Sequence, residues 1–510
     1  MSSQIPISDK LTYLDKKITI FSDKNISTLC KPLIIAGLFL FIYYILVSNH
    51  HINHPPQYLS QFRQKLEPLF TNNQSIDIEV TNISHIAIGI AGSVDLWKYR
   101  KSYIESWWEP NITKGYLFLD REPTTFAPWP KSSPPYKIYE DTSRYEPYNR
   151  HPMRLAIRMV RVIVETFREL HEGVRWYVMA DDDTILFMSN LVDVLGKYDH
   201  RKYVYIGENS ETIQSNIDNS FEMAFGGAGY AISYPLAEAL AKNMDVCIKR
   251  YPFVYGSDHL MQSCVADLGV SLTHEKGFHQ IDLRRDLSGL LAAHPQAPVL
   301  SLHHLDAVDP IFPKMERSEA LNHLMKAAKV DESRLFQQTI CYEKTKNWSF
   351  SIAWGYTAHV YEKLIPPSIL EKPLETFSPW RKPSKTPFLF NTRWLNKNPC
   401  DMPHVFYLDS MNNVTENDPI VSSFTRKTLR TLPPCSPVAP PPSSSGGGGG
   451  GVLSDIVKLI VVSPPTKYNV EVGDNRRECC DVLLDQNEKN VTMIKYRACM
   501  KNEIVGVDET

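Results

Sequence analysis

Three consecutive aspartates, Asp181, Asp182 and Asp183, directly follow a strand-like apolar run in the segment WYVMADDDTILF. Adjacent carboxylates repel one another, so a buried cluster of them needs a partner of opposite charge. Either the triplet lies in water as an acidic turn, or a divalent cation neutralises it. Carboxylate oxygens suit Mg²⁺ or Mn²⁺, which keep coordination positions open for the oxygens of a diphosphate. Taken alone, the triplet favours the acidic turn.

Three downstream segments could complete a chemical site. In FGGAGYAIS, Gly226 and Gly227 would let the backbone approach a ligand closely, or they form a simple tight turn before a strand. In YGSDHLMQSC, Asp258 lies at the start of a predicted helix, where an aspartate is often only an N-cap. In VLSLHHLD, His303 or His304 could complete a metal shell of oxygen and nitrogen ligands, and the alternative is a histidine pair in the core.

The part of the chain that carries these residues alternates between strand-like and helix-like segments. HIAIGIAG, KGYLFLD, RWYVMA and KYVYIGE are typical of buried parallel strands, whereas RLAIRMVRVIVETFREL has apolar residues at helical spacing. This alternation predicts a doubly wound α/β domain over residues 80–325. Ligands of such domains bind at the carboxyl ends of the strands, which is where the aspartate triplet is predicted to lie.

The pattern changes after this domain. SFSIAWGYTAHVY, HVFYLDS and IVKLIVV are strand-like and are not separated by long helices, which predicts a smaller β-rich region over residues 326–510. Within it, residues 433–451 form a run rich in proline, serine and glycine that cannot pack a core, so we predict a disordered insert. Eight of the nine cysteines, all except Cys30, could form disulfides in an oxidising compartment.

The N-terminal region predicts a membrane anchor. Residues 32–48 contain an apolar run without charge, five lysines precede it, and the next basic residue after it is Arg63. The run is shorter than a typical span of ~20 residues, but thin early-secretory bilayers tolerate short spans. The lysine asymmetry places residues 1–31 in the cytosol and the bulk of the chain in the lumen, with residues 49–79 as a stem. A cleaved signal peptide is disfavoured because no cleavage site of small residues follows.

Charge and modification signals agree with a lumenal protein that does not bind nucleic acid. The net charge is −2 and there is no long basic run, so composition gives no case for a polyanionic partner. Six N-glycosylation sequons follow the apolar run, at Asn73, Asn82, Asn111, Asn347, Asn413 and Asn490.

The motifs WYVMADDDT, FGGAGYAIS, YGSDHLM and SLHHLD, in this order, resemble the family 31 inverting glycosyltransferases, and most closely the plant fringe-related proteins of that group. The resemblance runs from HIAIGIAGSVDLW to RACMKNEIVG. It implies a GT-A type nucleotide-sugar-binding domain, a UDP-sugar donor, Mn²⁺ or another divalent cation, and a glycan or glycoconjugate acceptor joined through a β-1,3 linkage. Together with the membrane anchor predicted above, we expect a single-pass type II protein of the Golgi membrane.

The same resemblance assigns metal-side roles to the acidic motif. Asp183 would bind the cation, and Asp181 and Asp182 would support both metal and donor. His303 or His304 would supply the third ligand, and spacing does not choose between them.

The base motif and the glycine motif carry the remaining roles. Asp258 would be the catalytic base, and Gly226 and Gly227 would lie against the donor. Fringe-like enzymes usually have two acidic residues at the base motif, and Ser257 replaces the first of them here. Two other functions stay open. One is a non-catalytic lumenal carbohydrate-binding or scaffolding protein, and the other is a metal-dependent phosphohydrolase, which would need a second carboxylate–histidine cluster.

Overall fold

The computed structural model describes residues 80–506, with breaks at residues 146–154, 171, 296, 382–385, 413–414, 416, 427–431, 434, 436–452, 466, 468–475 and 485–489. The predicted cytosolic tail, anchor and stem lie outside the described residues, as does the predicted insert apart from Pro433 and Cys435. Among the helices of the described part, none is both long and apolar enough to cross a membrane.

The first half of the described chain alternates between strands and helices. Its strands are β1 (Ile86–Ala91), β2 (Lys114–Leu119), β3 (Tyr136–Ile138), β4 (Trp176–Asp181), β5 (Ile185–Leu186), β6 (Tyr205–Gly207), β7 (Tyr230–Ser233), β8 (Leu272–His274), β9 (Leu283–Arg285) and β10 (Ser301–Leu302). Its helices are α1 (Val94–Glu105), α2 (Leu155–Glu169), α3 (Met188–Leu195), α4 (Ile213–Asp218), α5 (Tyr234–Arg250), α6 (Ser257–Asp267), α7 (Ser288–Leu291) and α8 (Arg317–Val330).

Seven of these strands form one sheet in the spatial order β3-β2-β1-β4-β7-β6-β8. β1 runs parallel to β2 and β4, and β2 runs parallel to β3. β7 runs antiparallel to both β4 and β6, so the sheet is mixed and not wholly parallel as the strand pattern predicted. β6 and β7 are consecutive in the chain, which allows them to pair directly without a crossover. The predicted α/β class is confirmed.

Helices cover the centre of the sheet closely enough to bury β1 on both faces. All six residues of β1 are buried, as expected for a strand with helices on either side. Gly89 of β1 permits the close contact with α2, because a Cβ on this glycine would lie 2.5 Å from Thr166 Oγ1. The rigid centre of the sheet therefore holds the carboxyl end of β4 in a fixed place.

The second half of the described chain is mostly β structure, as its strand-like segments predicted. Its strands are β11 (Gln338–Glu343), β12 (Trp348–Ala353), β13 (Thr357–Tyr361), β14 (Phe377–Pro379), β15 (His404–Asn412), β16 (Ile420–Thr425), β17 (Lys458–Ser463), β18 (Cys479–Leu484) and β19 (Val491–Arg497), with the short helix α9 (Pro367–Leu370). Eight of them form a sheet in the order β11-β12-β13-β15-β16-β17-β19-β18. Of these pairs, β17–β19 is parallel and the others are antiparallel.

The two outer strands of this second sheet lie side by side. Cys341 of β11 and Cys480 of β18 form a disulfide, and Arg477 Nη1 donates a 2.9 Å hydrogen bond to the carbonyl of Gln338. All eight candidate cysteines are paired, the other disulfides being Cys247–Cys264, Cys400–Cys435 and Cys479–Cys499. The sequence alone could not give this connectivity, and the oxidising compartment stays a prediction.

The two sheets share a continuous apolar core. One cluster of buried side chains includes Ile88 and Val178 of the first sheet together with Phe350 and Ile494 of the second. In addition, β14 pairs antiparallel with β9. The C-terminal half therefore packs against the first half through this core and through the separate two-stranded sheet of β14 and β9.

Candidate active site

The aspartate triplet is buried at the carboxyl end of β4. Asp181 is the last residue of β4, and the side chains of Asp182 and Asp183 are only 4% and 1% exposed. The turn is fixed by Thr184, whose Oγ1 accepts a hydrogen bond from the Asp181 N–H and donates one to the carbonyl of Gly227. The interpretation of the triplet as a solvent-exposed acidic turn is therefore wrong. The buried carboxylates need compensating positive charge.

Part of that charge comes from Arg100 on α1, which the sequence analysis missed. Its guanidinium lies 2.8 Å from Asp182 Oδ1, 3.0 Å from Asp183 Oδ2 and 3.1 Å from Asp306 Oδ2. The available signal was a basic residue on the helix that follows β1, because β1 and β4 are parallel neighbours whose carboxyl ends share one edge. The single positive charge of Arg100 cannot neutralise the three carboxylates that it contacts.

The structure distinguishes the two adjacent histidines. His303 Nε2 lies 3.1 Å from Asp183 Oδ1 and 3.9 Å from Asp181 Oδ2. His304 adopts a left-handed backbone conformation with φ 55°, and its Nδ1 lies 3.6 Å from Asp282 Oδ1 instead. His303, and not His304, therefore joins the aspartates.

The C-terminal half supplies a further residue that the sequence analysis missed. The Trp380 ring packs on the His304 ring with centroids 4.7 Å apart, and the backbone N–H of Trp380 donates a 2.9 Å hydrogen bond to the backbone carbonyl of Asp282. Arg284 covers the Trp380 ring, 4.7 Å from its centroid. This stack supports His304, whose ring lies 3.7 Å from that of His303.

The donor atoms of Asp181, Asp183 and His303 fit a divalent cation. One ligand atom from each residue can be chosen so that all three lie within 4.8 Å of one another. Two ligands at right angles, each about 2.1 Å from a cation, lie about 3 Å apart, which matches the spacing of His303 and Asp183. Asp181 Oδ1 is buried and finds no hydrogen-bond partner among the described residues, and Asp183 Oδ2 is buried with the Arg100 guanidinium 3.0 Å away. Such oxygen-rich sites suit Mn²⁺ or Mg²⁺.

The pKa values of the cluster show the electrostatic conflict. Burial, together with repulsion by Asp183, raises the pKa of Asp181 to about 8, and burial raises that of Asp182 to about 6 against the attraction of Arg100. Burial also acts on Asp183, but His303 and Arg100 prevail and lower its pKa. Although burial lowers the pKa of His303, Asp183 raises it to about 9. Without a cation, the cluster therefore keeps protons at neutral pH.

Affinity for Mn²⁺ should rise with pH between about 6 and 9. A cation must displace the protons that the raised pKa values of Asp181 and His303 retain, so each displaced proton adds up to about tenfold in affinity per pH unit. Titration calorimetry at pH 6, 7, 8 and 9, with buffer ionisation heats subtracted, measures the slope. A flat profile over this range would show that the cation does not compete for these two groups.

Gly226 and Gly227 make room for site side chains. A Cβ on Gly227 would lie 2.1 Å from His303 Cε1, and a Cβ on Gly226 would lie 2.4 Å from Asp258 Oδ1. Both distances are too short for any side chain. The glycine motif is therefore needed for the close approach of the backbone to two candidate functional groups, in addition to any contact with a donor.

Gly227→Ala should lower Mn²⁺ affinity by at least about tenfold, because the new methyl group must displace the buried His303 ring. The matched control is Gly196→Ala, since Gly196 has an ordinary helical φ of −63° and its nearest Cβ contact is 3.3 Å. Calorimetric titration of both variants, with thermal unfolding to verify the fold, makes the comparison. Equal Mn²⁺ affinity in the two variants would contradict a role for His303 in cation binding.

Asp258 is the second residue of α6 and is not its N-cap. The N-cap is Gly256, with φ 84° and no side-chain capping bond. Ser257, which replaces the first acid of the base motif, donates a 3.1 Å hydrogen bond to Asp258 Oδ1. Burial raises the pKa of Asp258, although hydrogen bonds from Gly226 N–H and Ser257 oppose the shift. A half-buried carboxylate outside the Asp181–Asp183–His303 cluster is thus available as a proton acceptor.

An open cleft adjoins the acidic cluster. It has a volume of about 670 Å³, and its walls include Tyr99, Arg100, Tyr103, Asp306 and Arg317. This volume is in the range of small-molecule sites, roughly 300–1,000 Å³. Arg100 lines the cleft and contacts Asp182 and Asp183, so it connects the cleft with the acidic cluster.

Comparison with known proteins gives one family match and several relatives. The model described as "Protein of unknown function, DUF604" matches residues 215–480, more than half of the 510 residues. Mus musculus beta-1,3-glucosyltransferase is 30% identical over 153 residues, 29% of this chain and 29% of the relative. Danio rerio beta-1,3-N-acetylglucosaminyltransferase lunatic fringe is 27% identical over 193 residues, 34% of this chain and 48% of the relative. The chain thus aligns with less than half the length of these relatives.

Solved structures show only weak likeness. One is a glycosyltransferase involved in glycosylation of the major capsid of PBCV-1, with 12% identity and a TM-score of 0.26 over 47% of this chain and 98% of that one. Another is the mannosyltransferase PcManGT from Pyrobaculum calidifontis in complex with GDP-Man and Mn²⁺, with 9% identity and a TM-score of 0.26 over 57% of this chain and 73% of that one. Likeness at this level carries no argument about the present site.

Proposed function

Since the chain belongs to the DUF604 family, which is described only as of unknown function, we propose its activity from the site and from its relatives. The relatives confirm the resemblance to fringe-like family 31 proteins, while the plant subgroup stays a prediction. The proposal is an inverting glycosyltransferase with a GT-A type domain, which moves a hexose from a UDP-sugar to a glycan or glycoconjugate hydroxyl with a β-1,3 linkage. The observation that carries it is the buried Asp181–Asp183–His303 cluster beside a separate carboxylate, Asp258.

Each residue has a defined task in this reaction. Asp181, Asp183 and His303 would hold a divalent cation, which when bound supplies positive charge for the diphosphate of the leaving UDP. Arg100 holds Asp182 in place and keeps a positive charge at the wall of the adjoining cleft, where the donor would lie.

Asp258 accepts the proton of the acceptor hydroxyl. As that proton leaves, the acceptor oxygen attacks the anomeric carbon from the face opposite UDP, the new glycosidic bond forms, and the bond to the diphosphate breaks. Inversion needs only this single displacement, so one base and one site for the leaving group are sufficient.

A two-metal phosphohydrolase receives less support from the side chains. It would need a second group of carboxylates and histidines. In the described chain, the other grouping of potential ligands is Cys479, Cys499 and Glu503, and its two cysteines form a disulfide.

A panel of UDP-sugars tests the proposed function. The full-length chain is incubated with each UDP-hexose and UDP-N-acetylhexosamine, with and without Mn²⁺, and UDP release is measured. At least one donor should release UDP only when the cation is present. Release from none of the donors, with or without a mixed glycan acceptor, would overturn the proposal.

We also propose that the protein is a single-pass type II protein of the Golgi membrane, because lumenal exposure suits both the disulfides and the sequons. The four sequon asparagines in the described chain, Asn82, Asn111, Asn347 and Asn490, are all exposed. Protein from secretory cells should therefore show increased gel mobility after treatment with an N-glycosidase, and Asn→Gln changes at these four sites should reduce the increase. An unchanged mobility in the wild-type protein would contradict the lumenal topology.

A further inference from the structure

We infer that a cleft in the C-terminal half is a second carbohydrate-binding site. The cleft has a volume of about 560 Å³, and its walls include Lys363, Ile365, Leu374, Trp394, Asn396 and Asp401. None of its lining residues belongs to the acidic cluster or to the cleft beside Arg100. It is therefore a separate site on the same chain.

Trp394 provides an open aromatic surface at this cleft. The residue is 77% exposed, whereas the other described tryptophans are buried or half-buried. The preceding backbone is held firmly, because the Arg393 N–H donates a 2.7 Å hydrogen bond to the Pro373 carbonyl and the Glu375 N–H donates a 2.8 Å bond to the Arg393 carbonyl. These bonds fix the backbone next to Trp394, so its indole ring stays exposed to solvent. The exposed ring can contact an apolar face of a ligand.

Polar side chains line the same cleft as Trp394. Asp401 accepts hydrogen bonds from Lys363 Nζ at 3.0 Å and from Asn398 Nδ2 at 2.9 Å, and its side chain is 34% exposed. Asn396 lies within 3.5 Å of the same carboxylate. The adjacent Cys400–Cys435 disulfide ties this loop to the rest of the chain.

The combination of surfaces matches a pyranose ring. A hexose has an apolar C–H face that covers an indole and a rim of hydroxyls that bind carboxylate, amide and ammonium groups. The buried Ile365 and Leu374 give the cleft an apolar floor, as in most small-molecule sites. The charged rim, formed by Lys363, Arg393 and Asp401, opposes a lipid chain.

The choice of a glycan also rests on the proposed function, since a glycosyltransferase with a glycan acceptor can hold a distant part of that acceptor outside its active site. Binding at the cleft would raise the effective concentration of acceptor hydroxyls near Asp258 without taking part in the reaction.

The test is sugar binding without catalysis. The full-length chain, in a detergent without a sugar headgroup and with EDTA in place of Mn²⁺ and nucleotide, is titrated with cellotetraose, chitotetraose, β-1,4-galactotetraose, mannotetraose and xylotetraose. At least one should bind. Trp394→Ala should weaken that binding by about tenfold or more, Trp394→Phe should restore most of it, and Leu395→Ala, which changes an exposed neighbour outside the cleft lining, should not alter it.

A second measurement uses the wild-type protein alone and does not depend on the folding of a variant. Oxidation of tryptophans by N-bromosuccinimide, read by peptide mass spectrometry, should slow at Trp394 when the bound tetrasaccharide is present and stay unchanged at the half-buried Trp380. Binding of none of the five sugars, or binding that Trp394→Ala leaves intact, would overturn the inference. If the protein binds a tetrasaccharide in EDTA but releases UDP from none of the UDP-sugars, the proposed transferase activity is refuted. The inference of a carbohydrate-binding cleft is then still supported.

Discussion

Asp258→Asn should reduce sugar transfer by about 10²–10⁴-fold while Mn²⁺ and UDP affinities stay nearly unchanged. Asparagine keeps the size of the side chain and can still accept hydrogen bonds from the Gly226 N–H and from Ser257, but it cannot take the acceptor proton. Burial raises the pKa of Asp258, which makes its carboxylate a stronger base than an exposed one. Turnover with a confirmed acceptor and UDP titration by calorimetry, on the same preparation, give the two quantities.

The matched control lies on the same helix. Asp267 is the last residue of α6, and its carboxylate contacts Arg250 and Tyr251 near the surface, so Asp267→Asn should leave transfer within a few-fold of wild type. Helix capping cannot account for a loss at Asp258, because Gly256 is the N-cap of α6. Transfer at the wild-type rate by Asp258→Asn would remove the base from the proposed mechanism.

The sequence predicts those parts of the site that follow from local pattern. The apolar run before Asp181 predicts a buried strand, and the carboxyl end of a central strand is where α/β sheets bind ligands. The position of Asp258 near a helix start and of His303 at a strand end follows in the same way from short-range periodicity. Each of these statements concerns a residue and its immediate neighbours in the chain.

The parts that could not be predicted depend on contacts between distant segments. Arg100 reaches the aspartates from α1, and nothing in the residues around it specifies that contact. His303 and His304 are equivalent by spacing, and the left-handed backbone at His304 decides which ring faces Asp183. Trp380 directly follows β14, the strand of the C-terminal half that pairs with β9, and the prediction of two separate regions did not anticipate this pairing.

Asp183→Ala should weaken Mn²⁺ binding, and with it Mn²⁺-dependent UDP binding, by about 10²-fold or more. Asp183 is the carboxylate whose pKa is lowered at this site, since His303 and Arg100 outweigh the effect of burial, so it carries negative charge at any working pH. Its removal also takes away the charge partner of His303, whose raised pKa should fall toward the ordinary value. The fold should persist in EDTA, because Arg100 retains its contacts with Asp182 and Asp306. Calorimetric titration with Mn²⁺ alone, and then with UDP at saturating Mn²⁺, measures both losses.

Asp306→Ala is the control for the effect of charge alone. Asp306 also contacts Arg100, but its side chain is 36% exposed and it is not one of the grouped ligand residues. If the loss in Asp183→Ala comes from a missing ligand, Asp306→Ala should keep Mn²⁺ affinity within a few-fold of wild type, since a partly exposed charge acts weakly through water. If both variants lose affinity equally, the acidic cluster attracts cations only through its overall charge. If neither loses affinity, the cation does not bind at the end of β4.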